Sequence, residues 1–324
     1  MRRIYRTANY EIHLANAIEW LPKQRANSFH AVVTDPPFSS LEYSSKELAK
    51  RRNGQGGIWR LPNAFDGAER QPVPRFTVLD NHDLMAVFSF HLALAPALFR
   101  VLVPGGHILI ASQCLVAHLV SDAFQRAGFE VRGQIVRVVK TLRGGDRPKF
   151  GHKEFADLSV MPRSCFEPWL IFRKPCVGRV IDNLRRFGTG ALRRPAKAIP
   201  LPDLVEIPPA RSRERDIARH PSLKPQALMR WLVRASLPMS RGVILDPFMG
   251  SGATIGAAEA LGLRSVGVES DYKYFSMARS AIPKLADFVC AKPEAAGKND
   301  QRKNRSTGTE KSSTRRRRAR NISA

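Results

Sequence analysis

"VILDPFMGSGATIGAAEALGLRSVGVESD", Val243 to Asp271, decides how the rest of the chain is read. The apolar run "GVILD" ends in Asp246 and reads as a buried strand. A loop carrying Gly250-x-Gly252 follows, and "GATIGAAEALG" then has the composition of a helix closed by Gly262. A second strand, "RSVGVE", ends in Glu269, 19 positions after Gly250. Strand, glycine loop, helix, strand and terminal acid form the mechanical layout of a nucleotide-cofactor site. Glycines let the backbone approach the ligand, and an acid at the end of the next strand takes ribose hydroxyls. A glycine turn kept for packing shows the same GxG, so the weight rests on the whole layout. The dinucleotide fingerprint asks for a third glycine where Ile255 stands, and here Asp246-Pro247-Phe248 precedes the glycines instead. An acidic, aromatic loop suits a phosphate-free cation.

Outward from this core the chain alternates strand-like and helix-like segments. "YEIHL" (Tyr10–Leu14), "AVVT", "GGHILIAS", "EVRGQIVRVVK" and "EPWLIFRKP" read as strands. "NAIEWLPKQ", "LMAVFSFHLALAPALFRVL" with Pro96 inside it, "CLVAHLVSDAFQRAGF", "PQALMRWLVRAS" and "YKYFSMARSAI" read as helices. This βα alternation predicts an α/β fold with a doubly wound, mostly parallel sheet covered on both faces. Two basic regions rich in Gly and Pro break the pattern, from Ser39 to about Asp83 and from about Thr141 to Arg219.

The 324 residues, 43% of them hydrophobic, are enough for one large α/β domain with an insertion. The formal net charge of +25 implies a polyanionic partner, most often nucleic acid. From Lys292 onward 11 Lys/Arg stand against 3 Asp/Glu, which leaves +17 on the remainder. The folded part is therefore basic in its own right, and the polar run ending in "RRRRARNISA" reads as a disordered basic tail. No uninterrupted apolar stretch approaches 18 residues, which argues against a membrane span. The basic N-terminus has no signal-peptide apolar block, so a cytoplasmic location is the default expectation. The four cysteines form no CxxC pair, which argues against a structural zinc site.

Two further stretches carry chemistry. "AVVTDPPFSS", Ala31 to Ser40, ends a strand in Asp35-Pro36-Pro37-Phe38, a rigid loop with an acid before it and an aromatic tip after it. "RHPSLKPQALM", Arg219 to Met229, joins His220, Ser222 and Lys224 to a helix start, a combination that favours an anion. Together with "DPFMGSGAT", these stretches resemble three motifs of the S-adenosylmethionine-dependent DNA amino-methyltransferases: the catalytic D-P-P-aromatic motif, the H-P-[ST]-x-K-P element and the D-P-F-x-G-S-G-[TA]-T cofactor signature. The order, catalytic motif first, basic insert in the middle and cofactor motif last, resembles the circularly permuted β group. The resemblance spans roughly Tyr10 to Ile282.

The resemblance implies a seven-stranded Rossmann-like methyltransferase sheet, a basic target-recognition insert and S-adenosyl-L-methionine as cofactor. Domain limits follow: 1–140 for the catalytic half with a mobile loop at 39–83, 141–219 for target recognition plus a core strand near 167–173, 220–288 for the cofactor half, and 289–324 for the tail. It assigns catalysis to Asp35, Pro36, Pro37 and Phe38, with the Asp35 carboxylate and the Pro36 carbonyl accepting from an exocyclic amine and Phe38 stacking on a base flipped out of duplex DNA. It assigns cofactor binding to Asp246, Pro247, Phe248, Gly250, Ser251, Gly252, Thr254 and Glu269, with His220, Ser222 and Lys224 near the methionine carboxylate. Asn16 stands where the family usually has an Asp contacting adenine. This chemistry needs no metal. Asp at the first motif position leans toward N6 of adenine, because many N4-cytosine enzymes carry Ser there, and N4-cytosine is the alternative. An inactive DNA-binding protein, or an RNA or protein methyltransferase, are the remaining alternatives. A ring-carbon cytosine methyltransferase would use Pro175-Cys176 and would leave Asp-Pro-Pro-Phe without a task. Double-stranded DNA is the implied macromolecular partner, with a homodimer and a cognate restriction enzyme left open and no membrane partner.

Overall fold

The computed structural model describes residues 3–37, 80–143, 148, 151, 153–160, 162, 164–220 and 222–290. Phe38, residues 39–79 of the loop expected to be mobile and the run from Ala291 to the end lie outside the described residues, so the expectations attached to them stay as expectations. Among the described residues nine strands form one sheet: β1 (Ile4–Arg6), β2 (Tyr10–Leu14), β3 (Phe29–Thr34), β4 (Leu102–Ala111), β5 (Glu130–Arg143), β6 (Ser164–Arg173), β7 (Leu204–Glu206), β8 (Val243–Asp246) and β9 (Arg264–Glu269). Their order is β1-β2-β9-β8-β3-β4-β6-β5-β7.

The five central strands β2, β9, β8, β3 and β4 are mutually parallel. β6 inserts antiparallel between β4 and β5. The sheet therefore exceeds the expected seven strands. The additions are β1, antiparallel on β2, and β7, parallel on β5, at the two edges. Each has only three residues, too few to show a period in the sequence.

Side chains of the central strands alternate between two cores, as the pleat requires. On one face Val32, Ile108, Ile110, Leu170 and Phe172 pack against α1 (Ala17–Trp20), α2 (Asn81–Val101) and α3 (Ala117–Arg126). On the other, Ala31, Val33, Leu109, Trp169 and Ile171 pack against α6 (Gln226–Ser236) and α7 (Ala253–Ala260). Burial on both faces explains why these strands read as continuous apolar runs. Trp169 is fully buried in the second core.

α2 runs through Pro96 as one helix and begins on a capping box formed by Asp80 and Asp83. It is long and apolar enough to pass for a membrane span, but Leu94, Ala95 and Leu98 on it are fully buried against the sheet. Two short helices, α4 (Val180–Phe187) and α5 (Ser212–Ile217), lie in the region where the sequence shows no pattern. α8 (Tyr272–Ala286) packs on α7 and continues past Pro283.

Candidate active site

The connection after β8 goes through α7 to β9 on one side, whereas the connection after β3 goes through α2 to β4 on the other. β3 and β8 are neighbours, so the winding reverses between them. In an open α/β sheet such a switch point leaves a crevice outside the carboxyl ends of the strands. Asp35 follows β3 and Asp246 ends β8, so both acids stand at this crevice. Thr34, the residue before Asp35, ties the two strand ends together by donating its Oγ1–H to Asp246 Oδ1 at 2.7 Å, within the buried end of the strand pair.

Asp246 is 2% exposed. Burial pushes its carboxyl up to about 6. Hydrogen bonds from Thr254, Thr34 and the Phe248 N–H oppose that shift, and the Asp35 carboxylate adds to it. The backbone N–H of Phe248 donates to Asp246 Oδ1 at 3.1 Å, which folds the Pro247 turn tightly over the strand end. The ring of Phe248 lies against Phe90 of α2, with centroids 5.7 Å apart, at the margin of the first core.

The glycine loop is built by two left-handed residues. Gly250 has φ +53° and Gly252 has φ +86°, both in the region L side chains rarely adopt. A Cβ on Gly252 would stand 2.5 Å from Cγ1 of Ile282 on α8, and one on Gly250 would stand 3.1 Å from Nε2 of His220. Gly252 serves as the N-cap of α7 with no side chain capping it, so the first N–H groups of the helix point at the loop without a protein acceptor from that residue. Ser251 and Thr254 are buried behind it.

Glu269 ends β9 one strand away. Its Oε2 accepts from Gly250 N at 3.0 Å and its Oε1 accepts from Asp271 N at 2.7 Å. Burial raises this carboxyl, and the N–H groups of Asp271 and Gly250 oppose the rise. The acid thus fixes the glycine loop, and with the Ser270 N–H also on it the carboxylate keeps limited capacity to accept from a ligand hydroxyl. Asn16 stands beside it, since Ala15 donates its N–H to the Glu269 carbonyl. The Asn16 Oδ1 caps α1 by accepting from Ile18 N at 2.9 Å, which leaves the amide NH₂ for other contacts.

The segment His220–Lys224 arrives from the other face. His220 Nδ1 accepts from Ser222 N, and its ring meets Tyr274 edge-on at 4.4 Å. Burial, reinforced by the Lys224 ammonium, holds the His220 imidazole down at about 4, against the pull of Asp271. The start of α6 is closed by a protein carboxylate: Gln226 N donates to Glu214 Oε1 at 2.7 Å. Gln226 Nε2 in turn donates to the Ala253 carbonyl of α7. Glu214 thus takes the Gln226 N–H at this helix start.

Lys224 has internal partners that the sequence reading does not name. Its Nζ lies 2.7 Å from Asp35 Oδ2 and 3.5 Å from Glu167 Oε2, with the Lys224 side chain 12% exposed. The residue read as a partner for a ligand carboxylate here pairs with the acid of the Asp-Pro-Pro loop. Glu167 and Arg137 complete the group, and the sequence reading does not single them out. Glu167 also accepts from Arg137 Nη1 at 3.4 Å and from Trp169 Nε1 at 2.8 Å. A single acid in "CFEPWLIF" and a single Arg in "QIVRVVK" are the available signals, since lone charges inside apolar strands require partners.

Cys176 stands elsewhere. It follows Arg173, the last residue of β6, and β6 runs antiparallel to β4, so Cys176 lies toward the amino ends of the central strands, opposite Asp35. Among the described residues no arrangement there joins the thiol to the crevice.

Comparisons with known proteins agree with this architecture. The model of the DNA methylase family, N6/N4 type, matches residues 29–280. The Type II methyltransferase M.HindIII of Haemophilus influenzae is 24% identical over 296 residues, covering 82% of this chain and 93% of its own. Type II methyltransferase M2.LlaDCHI of Lactococcus lactis subsp. cremoris is 33% identical over 75 residues, 23% of this chain and 28% of its own. Among solved structures, the cytosine-N4-specific PvuII DNA methyltransferase superposes with a TM-score of 0.55 at 14% identity, covering 87% of this chain and 93% of its own. TTHA0409 of Thermus thermophilus, a DNA modification methylase in complex with S-adenosyl-L-methionine, superposes with a TM-score of 0.53 at 19% identity, covering 86% and 95%.

Proposed function

Because the chain belongs to the N6/N4 DNA methylase family, we propose that it transfers a methyl group from S-adenosyl-L-methionine to the exocyclic N6 of adenine in duplex DNA. The observation that carries this reading is the meeting of Asp35 and Asp246 at the switch point, their strand ends tied through Thr34. One acid belongs to the loop that would receive the base and the other to the loop that would receive the cofactor. The donor set fits the cofactor: a glycine cradle that a Cβ would fill, an acid at the end of β9 for hydroxyls, and a buried acid at the end of β8 for positive charge.

An exocyclic amine is a poor nucleophile because its lone pair is delocalised into the ring. In this reading Asp35 and the Pro36 carbonyl accept from its two hydrogens and draw the nitrogen toward sp³ geometry. Pro37 removes a backbone donor and stiffens the loop, so the carbonyl is preorganised. S-adenosylmethionine, when bound, would supply a sulfonium methyl to the amine nitrogen, the C–S electron pair returning to sulfur and one amine proton passing by way of the accepting Asp35 carboxylate to solvent. Gly250, Ser251, Gly252 and Glu269 hold the nucleoside half, while Asp246 with Thr254 faces the methionine half. The basic surface binds phosphates, the target base is flipped outward, and Phe38 offers it a stacking face. The circularly permuted order, target recognition by part of 141–219 and a cytoplasmic location belong to the same reading.

The N4-cytosine reading is favoured by one observation, the fold likeness to a cytosine-N4-specific enzyme. The Asp at position 35 favours adenine. Incubation of the purified chain with methyl-labelled S-adenosylmethionine and duplex DNA, RNA or protein is expected to label the duplex DNA alone. Label in RNA or protein, or DNA binding with no transfer, would count against the proposal.

A further inference from the structure

A line of alternating charges runs inward from the crevice. Asp35 meets Lys224, Lys224 meets Glu167, and Glu167 meets Arg137. Arg137 and Glu167 are direct cross-strand partners on β5 and β6, 2% and 4% exposed. Arg137 is anchored in turn, donating from Nε to the Ile207 carbonyl and from Nη2 to the Pro208 carbonyl, each at 3.0 Å. Glu167 is fixed at both oxygens, Oε1 by the Trp169 indole N–H and Oε2 by Arg137 and Lys224. The inner end is therefore rigid, and the outer end is the acid of the Asp-Pro-Pro loop.

A buried charge line of this kind is costly unless its members are held in register, and an apolar strand pair would serve packing at least as well. Its location gives it a use. A lysine facing Asp35 alone would be free to move between its two oxygens. A lysine shared with a second, immobile carboxylate stays on Asp35 Oδ2, 2.7 Å away, and keeps that carboxylate in one orientation. We propose that Glu167 is a positioning residue: it holds the Lys224 ammonium between two carboxylates and so orients Asp35 toward the target amine. This rests on the reading of Asp35 as the acceptor of that amine. The other titratable groups facing this line, among the described residues, include Asp246 on β8, tied to β3 through Thr34, His220 ahead of α6, and Glu214 on α5, which feels the charge of Arg137.

The test uses the full chain with duplex DNA and labelled S-adenosylmethionine, comparing wild type, Asp35→Asn, Glu167→Gln and Glu167→Asp in single-turnover transfer. Glu167→Gln is expected to slow transfer on the order of tenfold to a hundredfold, the scale of a small misplacement of a reacting group. The KM for S-adenosylmethionine should stay within about twofold, because the loss falls on orientation rather than on uniform binding. Glu167→Asp keeps the charge but withdraws it by one methylene, so an intermediate rate is expected. Unchanged rate in Glu167→Gln, or a loss that falls on KM with the single-turnover rate preserved, would overturn the positioning role. If Glu167→Gln fails to fold by thermal melting, Glu167→Asp carries the test, and a wild-type rate in it overturns the proposal. Retained transfer in Asp35→Asn would instead sink the reading of the site itself.

Discussion

The two ends of the central strands solve the same problem, buried polar groups at a strand terminus, in opposite ways. At the amino end Asn183 of α4 is fully buried and neutral. Its Nδ2 donates to the Pro104 carbonyl and to Thr189, its Oδ1 accepts from Val177 N, and Thr189 Oγ1 closes the ring on the Pro104 carbonyl. At the carboxyl end the groups are ionic: Asp35, Lys224, Glu167 and Arg137, with Asp246 a strand away. A neutral amide satisfied by backbone is the inexpensive way to close a strand end. Charges kept in the same burial are tolerated where they face a ligand, because perturbed and paired ionisable groups concentrate at functional sites. The difference teaches which end works and which end holds.

The sharpest way to break that contrast is to neutralise each end in turn. Asp35→Asn keeps size and removes the charge, and transfer is expected to fall about a hundredfold to a thousandfold, the scale seen for removing one preorganised electrostatic partner. Thermal stability should change little by comparison, since Lys224 retains Glu167. Asn183→Ala is expected to do the reverse. It strips four hydrogen bonds from a buried site and should cost about 2–3 kcal/mol by denaturant unfolding, with the transfer rate per folded molecule unchanged.

A pH titration of stability sharpens the same comparison. The folded carboxyl of Asp246 is raised to about 6 from an ordinary value of 3.8, so its protonated form is favoured by folding. Its contribution is fully present below pH 3.8 and is lost as pH rises through about 6. His220, held down at about 4, works the opposite way and loses its contribution as pH falls from 6.5. Wild type minus Asp246→Asn therefore isolates the acid: the difference in unfolding free energy should decline by about 2 kcal/mol across that window. A flat difference would mean that the carboxyl is not raised. The smallest effect is expected at the amino end, where Cys176→Ser should leave transfer within about twofold. A large loss there would revive thiol chemistry.

Much of the fold is legible because burial on both faces writes itself as apolar runs. β3 and β8 are visible in "AVVT" and "VILD", and β9 in "RSVGVE", each strand leading into an acid. The edge strands β1 and β7 are not legible, since three residues carry no period. α4 and α5 hide inside a basic region whose composition resembles a loop, although Gly188 in the left-handed conformation closes α4 as a glycine commonly does. For the site, the glycine loop is readable because backbone conformation is local. The partner of Lys224 is not, because it depends on which strand ends the topology brings together. A lysine next to a helix start fits a ligand anion and an internal carboxylate equally well in sequence. Only the placement of β3 and β6 on either side of β4 brings the internal carboxylates to it.

The most direct test is nucleoside analysis by mass spectrometry of DNA from a methylase-deficient host expressing the chain, beside the same host expressing Asp35→Asn. N6-methyladenine in the first and none in the second is the expected result. N4-methylcytosine alone would contradict the adenine assignment. Ring-carbon methylcytosine, or equal N6-methyladenine in both hosts, would contradict the central role of the Asp35 loop.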